Sequence, residues 1–170
     1  MDPIIFTISS PFLTSILTHI GVIMSNHPLL NDYLTASGAY PERAKHSELT
    51  PELIDNANRL LAELQELFEA LGISLENYKF SSGFRPTDVN SKVPNAAKSS
   101  LHSKCLAADI LDDKNQTLAK LMQSKKAVAE RLKRKIFLES PAHTVGKSTN
   151  WCHLDISPTR SIRPSMEFIP

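Results

Sequence analysis

A long amphipathic helix after Thr50 constrains the fold of this chain more than any other segment. Thr50 places a capping hydroxyl directly before Pro51, the residue best suited to the first helical position. Gly72 follows the last apolar position, as expected at a helix C-terminus. Because apolar residues recur at spacings of three and four, one face of the helix must pack on a core. The apolar positions are Leu53, Ile54, Ala57, Leu60, Leu61, Leu64, Leu67, Phe68 and Leu71.

The remaining segments are short and mixed in character. Strand-like alternation marks residues 78–82, 106–111 and 151–156. Residues 86–104 are rich in Ser, Asn, Lys and Pro, which predicts a long surface loop. Residues 115–137 predict a second, more basic helix, although its end also fits a short strand. We therefore predict an α+β fold, with a small, mostly antiparallel sheet and flanking helices.

The composition fits one globular domain and narrows the classes of function. A chain of 170 residues is long enough to bury one core. Nineteen Lys and Arg against eighteen Asp and Glu leave a net charge of +1, which gives no reason to expect a nucleic-acid partner. Two cysteines can form neither a disulfide framework nor a four-cysteine zinc site. Function must therefore come from a local group of side chains.

Residues 1–24 form an apolar N-terminal arm, and we assign residues 25–170 to the functional domain. Residues 3–24 contain no Lys, Arg, Asp or Glu and could span a bilayer if helical. The first basic residue is Arg43, so no positive flank supports an anchor. Three interpretations stay open: a segment packed on the domain, a membrane anchor, or a natural start at Met24. Any membrane contact is expected only through residues 3–24.

Two segments carry residue types that bind metals, with His102 and Asp109 in the first and His153 in the second. Because strand side chains alternate between faces, Asp109 and His153 converge on one point if their strands are neighbours. His102 lies in the loop that enters the first strand and can reach the same point. Two imidazoles, one carboxylate and an open fourth position are typical of a catalytic zinc. Considered singly, each residue also fits a structural role, as a hydrogen-bonded histidine or a turn aspartate.

The sequence around these residues resembles a known family. The segments SSGFRP, SLHSKCLAADI and NWCHLDI are similar to motifs of the family M15 zinc peptidases, the D-Ala-D-Ala carboxypeptidase and L-Ala-D-Glu endopeptidase group. The likeness is greatest to phage- and prophage-borne members and covers about residues 78–170. It implies an M15-like zinc peptidase fold, one Zn²⁺ per chain, and hydrolysis of a peptide bond in bacterial peptidoglycan stem peptides.

The resemblance also implies roles for individual residues. His102, Asp109 and His153 would bind the zinc, and Arg85 would face the substrate. Stem peptides carry free carboxylates, which a guanidinium can hold by two charge-assisted hydrogen bonds. Ser82 is a further candidate for binding substrate. The alternative for Arg85 is a surface residue in a proline-containing turn, and exposed serines usually bind nothing.

A zinc peptidase also needs a general base for the water that the metal activates. Several relatives have an acidic residue three positions before the last zinc histidine, where this chain has Asn150. We predict that Glu139 is the base instead, at the end of a strand beside that of His153. Asp155 is the second candidate, but two residues along a strand span about 6–7 Å, which favours orienting a ligand histidine. His143 is the third, as an oxyanion donor or only a loop residue.

The two cysteines are a second departure from the family pattern. Cys105 stands where the family usually has glycine, and Cys152 directly precedes the last metal histidine. Strand parity directs Cys152 away from His153, which predicts a buried apolar side chain. A cysteine–histidine nucleophile stays open in principle, but it leaves the metal-like pattern unexplained.

The function predicted from the sequence is a monomeric zinc peptidase of the bacterial cell wall. Such a substrate implies action in a phage particle, the periplasm or the extracellular space. The rival hypothesis is an inactive M15-like protein that serves as a structural or wall-binding component of a phage particle. Asn150 and Cys105 favour the rival, whereas Arg85 and Glu139 favour the enzyme.

Overall fold

The computed structural model describes residues 26–36, 47–93, 97–146, 149–162 and 164–169. Within these ranges the helices are α1 (Leu30–Thr35), α2 (Pro51–Leu71), α3 (Thr87–Asn90), α4 (Thr117–Met122) and α5 (Lys125–Arg134). The strands are β1 (Phe80–Ser82), β2 (Ala107–Asp112), β3 (Phe137–Glu139), β4 (Asn150–Asp155) and β5 (Glu167–Phe168). Short 3₁₀ helices occupy Leu75–Asn77, Leu101–Lys104 and Pro141–His143.

Helix α2 begins and ends where its sequence signals predict. The side chain of Thr50 accepts a hydrogen bond from the backbone N–H of Leu53, and Pro51 lies in the first turn. Gly72 follows the last turn at φ +81°, a left-handed conformation that favours glycine. The predicted core face is confirmed, because the helix fully buries Ala57, Leu60, Leu61, Leu64, Leu67 and Phe68.

The five strands form one sheet in the order β1-β2-β4-β3-β5. Neighbouring strands are antiparallel, except that β3 and β5 run parallel. The predicted α+β fold with a mostly antiparallel sheet is therefore confirmed. One face of the sheet joins the α2 core through alternate residues that include Ile110, Cys152 and Leu154. The intervening residues of β2 and β4 consequently point to the other face, where Asp109 and His153 lie.

Two predicted segments differ from the structure. The helix predicted over 115–137 is divided into α4, α5 and β3, so the prediction of one continuous helix is wrong. The break has a local cause, because the Ser124 side chain accepts a hydrogen bond from Ala127 N–H and caps a new helix. Lys135 then takes a left-handed conformation and ends α5. The loop predicted over 86–104 contains α3 and a 3₁₀ helix, so it is only partly irregular.

A buried arginine fastens the segment after β4 to the domain. Arg131 on α5 is fully buried and donates to the carbonyl oxygens of Met122, Ser165 and Met166 at 2.9–3.1 Å. Such hydrogen bonds offset part of the cost of removing a cation from water. The chain around residues 165 and 166 is therefore held against α4 and α5 before it forms β5.

The predictions for residues 1–24 lie outside the described residues, so the proposed domain boundary stays a prediction. In the described part of the chain, no helix has both the length and the apolar character needed to cross a bilayer.

Candidate metal centre

Strands β2 and β4 pair so that Asp109 lies directly opposite His153. Oδ1 of Asp109 is 2.6 Å from Nδ1 of His153, a short contact typical of a charge-assisted pair. Both side chains are about nine-tenths buried, with 11% of each exposed. The register of the β2–β4 pairing therefore brings Asp109 and His153 together.

His102 reaches this pair from the 3₁₀ helix Leu101–Lys104, whose first turn is capped by the Ser100 side chain. Nδ1 of His102 lies 2.8 Å from the carbonyl oxygen of Gly83. Because a carbonyl oxygen only accepts, Nδ1 carries the proton and Nε2 keeps its lone pair. That Nε2 lies 3.4 Å from Oδ2 of Asp109, so the free lone pair is directed into the cluster.

Gly83 supplies the oxygen that orients His102, and the packing around it admits only glycine. A Cβ at Gly83 would lie 1.9 Å from the carbonyl oxygen of Tyr33. The Tyr33 hydroxyl in turn donates to the carbonyl of Ala107 on β2, at 2.9 Å. The SSGFRP segment therefore positions His102 through its backbone, in addition to carrying Arg85.

The donor atoms of His102, Asp109 and His153 all lie within 4.8 Å of one another. Two imidazole nitrogens and a carboxylate oxygen are a donor set suited to zinc, and three protein ligands leave a position for water. The remaining nitrogen of each ring faces a partner outside the cluster, as metal-binding histidines usually do. The residues present thus fit a bound zinc ion.

The electrostatics of the cluster are dominated by the charge pairing of Asp109 with the two imidazoles. Burial alone would raise the pKa of Asp109, but the two imidazoles outweigh it and hold that pKa well below its usual range. Burial alone would lower the pKa of His153, but the Asp109 carboxylate outweighs it and raises that pKa. For His102 burial prevails, and its pKa is lowered. Asp109 is therefore ionised, and the proton of the pair resides on His153.

Glu139 lies at the end of β3, beside the His153 strand. Phe137 pairs with Asp155 and Leu138 with Leu154, and the same register continued by one residue sets Glu139 opposite His153. Its Oε2 is 3.9 Å from Nδ1 of His153, the nitrogen that also contacts Asp109. Burial raises the pKa of Glu139, although the positive charge of His153 opposes the change. A carboxylate outside the three candidate ligands thus borders the cluster.

Arg85 and Ser82 also lie at the cluster. Nη2 of Arg85 is 3.5 Å from Oδ2 of Asp109 and donates to Oγ of Ser82 at 3.1 Å. Nη1 donates to Oδ1 of the buried Asn90 at 3.5 Å. Only 12% of the Arg85 side chain is exposed, so the alternative of a surface turn residue does not describe it. The guanidinium is instead a fixed positive charge beside the Asp109 carboxylate.

Asp155 and His143 differ in their relation to the cluster. Asp155 is fully buried, and its Oδ2 lies 3.6 Å from Nε2 of His153, the ring nitrogen that faces away from Asp109. His143 is exposed in the 3₁₀ helix that follows β3. Its charge acts to lower the pKa of Glu139, but its contribution is smaller than that of His153. Asp155 therefore borders His153 on the side away from the cluster, whereas His143 is exposed beyond the end of β3.

Asn150, where the resemblance leads us to expect an acid, has a structural partner. Its Nδ2 donates to the carbonyl oxygens of Asp113 and Lys114, at 3.1 and 3.4 Å. Because it is three residues from His153 on the same strand, its side chain starts from the opposite face of the sheet. Asn150 thus anchors the turn after β2.

The two thiols are free and buried, in the α2 core rather than in the metal cluster. Cys105 has φ +53°, a left-handed conformation in which glycine is unstrained, which explains why a glycine suits this position. Burial raises the pKa of Cys105 to about 12, and burial also raises that of Cys152. These properties oppose the cysteine nucleophile that the sequence left open.

We expect neither thiol to react with a water-soluble thiol reagent in the folded protein. Both side chains are fully buried and protonated at neutral pH, whereas the thiolate is the reactive form. Titration with a chromogenic disulfide should count no thiol under native conditions and two in denaturant. Rapid labelling of either cysteine in folded protein would contradict this account.

Several residues of the site had no clear signal in the sequence. Arg160 contacts Asp155, and Phe168 stacks edge-on against His153 with ring centroids 5.8 Å apart. Both lie in the segment after β4, where no periodicity marks them. The carbonyl of Gly83 has no sequence signal of its own, since every residue has one. These groups can be identified only from the contacts that the folded chain makes around the cluster.

Comparison with known proteins places the candidate site within a family. The family model described as Peptidase M15 matches residues 40–155, which is more than half of the chain and includes all three candidate ligands. No curated protein and no solved structure gave a significant match. The match supports peptidase activity, and the clustered His102, Asp109 and His153 could hold a metal ion.

Proposed function

Because the chain belongs to the peptidase M15 family, we propose that it is a zinc-dependent enzyme that hydrolyses a peptide bond in bacterial peptidoglycan stem peptides. The observation that carries the proposal is the convergence of His102, Asp109 and His153 beside a fourth, non-ligand carboxylate, that of Glu139. A cluster built only for stability has no need of that additional acid, whose side chain is largely buried. A hydrolase needs it as a base.

The residues divide the chemistry among them. His102 would bind the zinc through Nε2, Asp109 through its carboxylate and His153 through Nδ1. When bound, zinc supplies a Lewis acid that lowers the pKa of water and polarises a carbonyl group. Glu139 takes the proton of the attacking water and later passes it to the leaving amine. Its raised pKa suits a group that must both accept and return a proton near neutral pH.

The proposed substrate class rests on Arg85 and on the resemblance of the motifs. A guanidinium fixed by Ser82 and Asn90 can hold a substrate carboxylate without first losing side-chain freedom. Stem peptides carry such carboxylates close to the bonds that M15-like enzymes cleave. We propose, on the same resemblance, a monomer of phage or prophage type that acts on the wall in a phage particle, the periplasm or outside the cell.

The inactive alternative is not favoured. Its main support was Asn150, which cannot act as a base. The Asn150 side chain instead hydrogen-bonds the turn after β2, so the base of this chain is expected at another position. Glu139 lies close enough to the cluster to take that role. The family match supports a peptidase rather than a structural protein.

The proposal predicts a zinc-dependent turnover of purified peptidoglycan. Protein prepared with zinc should contain one ion per chain, and a chelator should remove both the metal and the release of new amino groups from the wall. Added zinc should restore both. Mass spectrometry of the products then separates release of a terminal amino acid from internal cleavage. Metal-loaded protein that leaves every stem peptide intact would contradict the enzyme proposal, and failure to bind zinc would contradict the centre itself.

A further inference from the structure

The segment that follows β4 encloses the last ligand histidine from outside. Phe168 places its ring against His153, and Arg160 lies over the Phe168 ring with Cζ 3.4 Å from the centroid. The stack of Arg160, Phe168 and His153 is anchored at its base by the buried Arg131, which holds the carbonyls of residues 165 and 166. Arg160 and Phe168 lie beyond residue 155, where the family match ends.

Arg160 also makes the main charged contact of Asp155. Its Nε lies 3.1 Å from Oδ2 and 3.3 Å from Oδ1 of this fully buried carboxylate. The backbone N–H of Ser157 donates to the same Oδ1 at 3.0 Å. Without the guanidinium, Asp155 would be a buried anion with one backbone donor and a neighbouring imidazole, an arrangement that burial strongly disfavours.

We propose that Arg160 is a positioning residue of the metal centre, acting on His153 through Asp155. Binding of a metal at Nδ1 leaves the proton of His153 on Nε2, which faces Oδ2 of Asp155 at 3.6 Å. The carboxylate orients the ring only if it is held in place, and Arg160 holds it through the contacts of Nε with both carboxylate oxygens. The proposal rests on the zinc site proposed above, and it assigns the C-terminal segment to that site rather than to packing alone.

The inference predicts a change in metal affinity that can be measured without any substrate. Arg160→Met keeps an apolar stem on the Phe168 ring but removes the guanidinium. Loss of an outer partner of a ligand histidine, here Asp155, typically weakens metal binding about 10–100-fold, and loss of the guanidinium that fixes Asp155 should fall in the same range. We expect a loss of that size in competition with a chromogenic chelator, and a shifted visible spectrum of the Co²⁺-substituted protein. Arg160→Lys, which retains a charge near Asp155, should recover part of the affinity.

The control is Arg59→Met, which removes an exposed arginine of α2 that lines the same surface cleft as Arg160. It should bind zinc as the wild type does. Thermal unfolding of the metal-free variants separates positioning from stability. If folded Arg160→Met shows wild-type zinc affinity and a wild-type Co²⁺ spectrum, the inference is wrong, even if the variant unfolds more readily. Wild-type protein that binds no zinc would overturn the inference and the proposed function together, whereas equal affinities overturn the inference alone.

Discussion

Replacement of His102 by alanine is expected to abolish zinc binding and hydrolysis together. The change removes one of three protein ligands, and losing even an outer partner of a ligand typically costs about 10–100-fold in affinity. We therefore expect zinc affinity to fall by more than about a hundredfold. Without the metal, the pKa of the attacking water is no longer lowered and the substrate carbonyl is no longer polarised. Residual activity should therefore be below about 1% of wild type. Metal analysis after gel filtration and the peptidoglycan assay measure the two losses.

The matched control is His27→Ala. His27 is partly buried and contacts Gln65, with Nε2 3.0 Å from Oε1, far along the chain from the cluster. Removing it tests whether loss of any packed histidine reduces the metal content. Circular dichroism should show both variants folded, because His102 lies in a short 3₁₀ helix rather than in the α2 core. A His102→Ala protein that still bound one zinc ion with wild-type affinity would exclude this residue as a ligand.

The elements predicted from the sequence are those whose signals are local. Helix α2 has its capping threonine, its first-turn proline and its terminal glycine within one continuous segment. Its bounds therefore follow from the sequence without knowledge of the tertiary packing. The alternation of β4 directs His153 and Cys152 to opposite faces, as its sequence predicts. By contrast, the break at Ser124 was hidden, because the flanking apolar positions also fit one longer helix. A single capping serine decides between the two.

The site was predictable to the extent that its residues belong to recognisable motifs. The neighbouring positions of β2 and β4 are a long-range property that periodicity cannot supply, so the convergence of Asp109 and His153 depended on the resemblance. The residues that position the candidate ligands were not predictable in this way. Gly83 acts through a carbonyl group, and Arg160 acts from an irregular segment, so both become visible only when the chain is folded. Groups of this kind are recognised by the side chains they contact and not by a sequence motif.

Replacement of the proposed general base, Glu139, is expected to give the second large effect on activity. Glu139→Gln keeps the shape of the side chain and leaves all three candidate ligands in place, but the amide cannot accept a proton. Removal of a general base typically lowers the rate by about 10²–10⁴-fold. We expect kcat on purified peptidoglycan or a soluble stem peptide to fall by this factor while zinc content stays at one per chain. Retention of the metal separates this result from that of His102→Ala.

Asp155→Asn is the informative comparison, because it tests the other carboxylate near His153. Asp155 faces Nε2 of the ring, away from the cluster, and Arg160 already occupies its oxygens. The structure therefore predicts that Asp155→Asn weakens zinc binding, and that saturating zinc restores much of the rate. Glu139→Gln should show the opposite pattern, with normal zinc affinity and a rate that no added metal recovers. If saturating zinc leaves Asp155→Asn inactive and Glu139→Gln active, the base is Asp155 and the assignment of Glu139 is wrong.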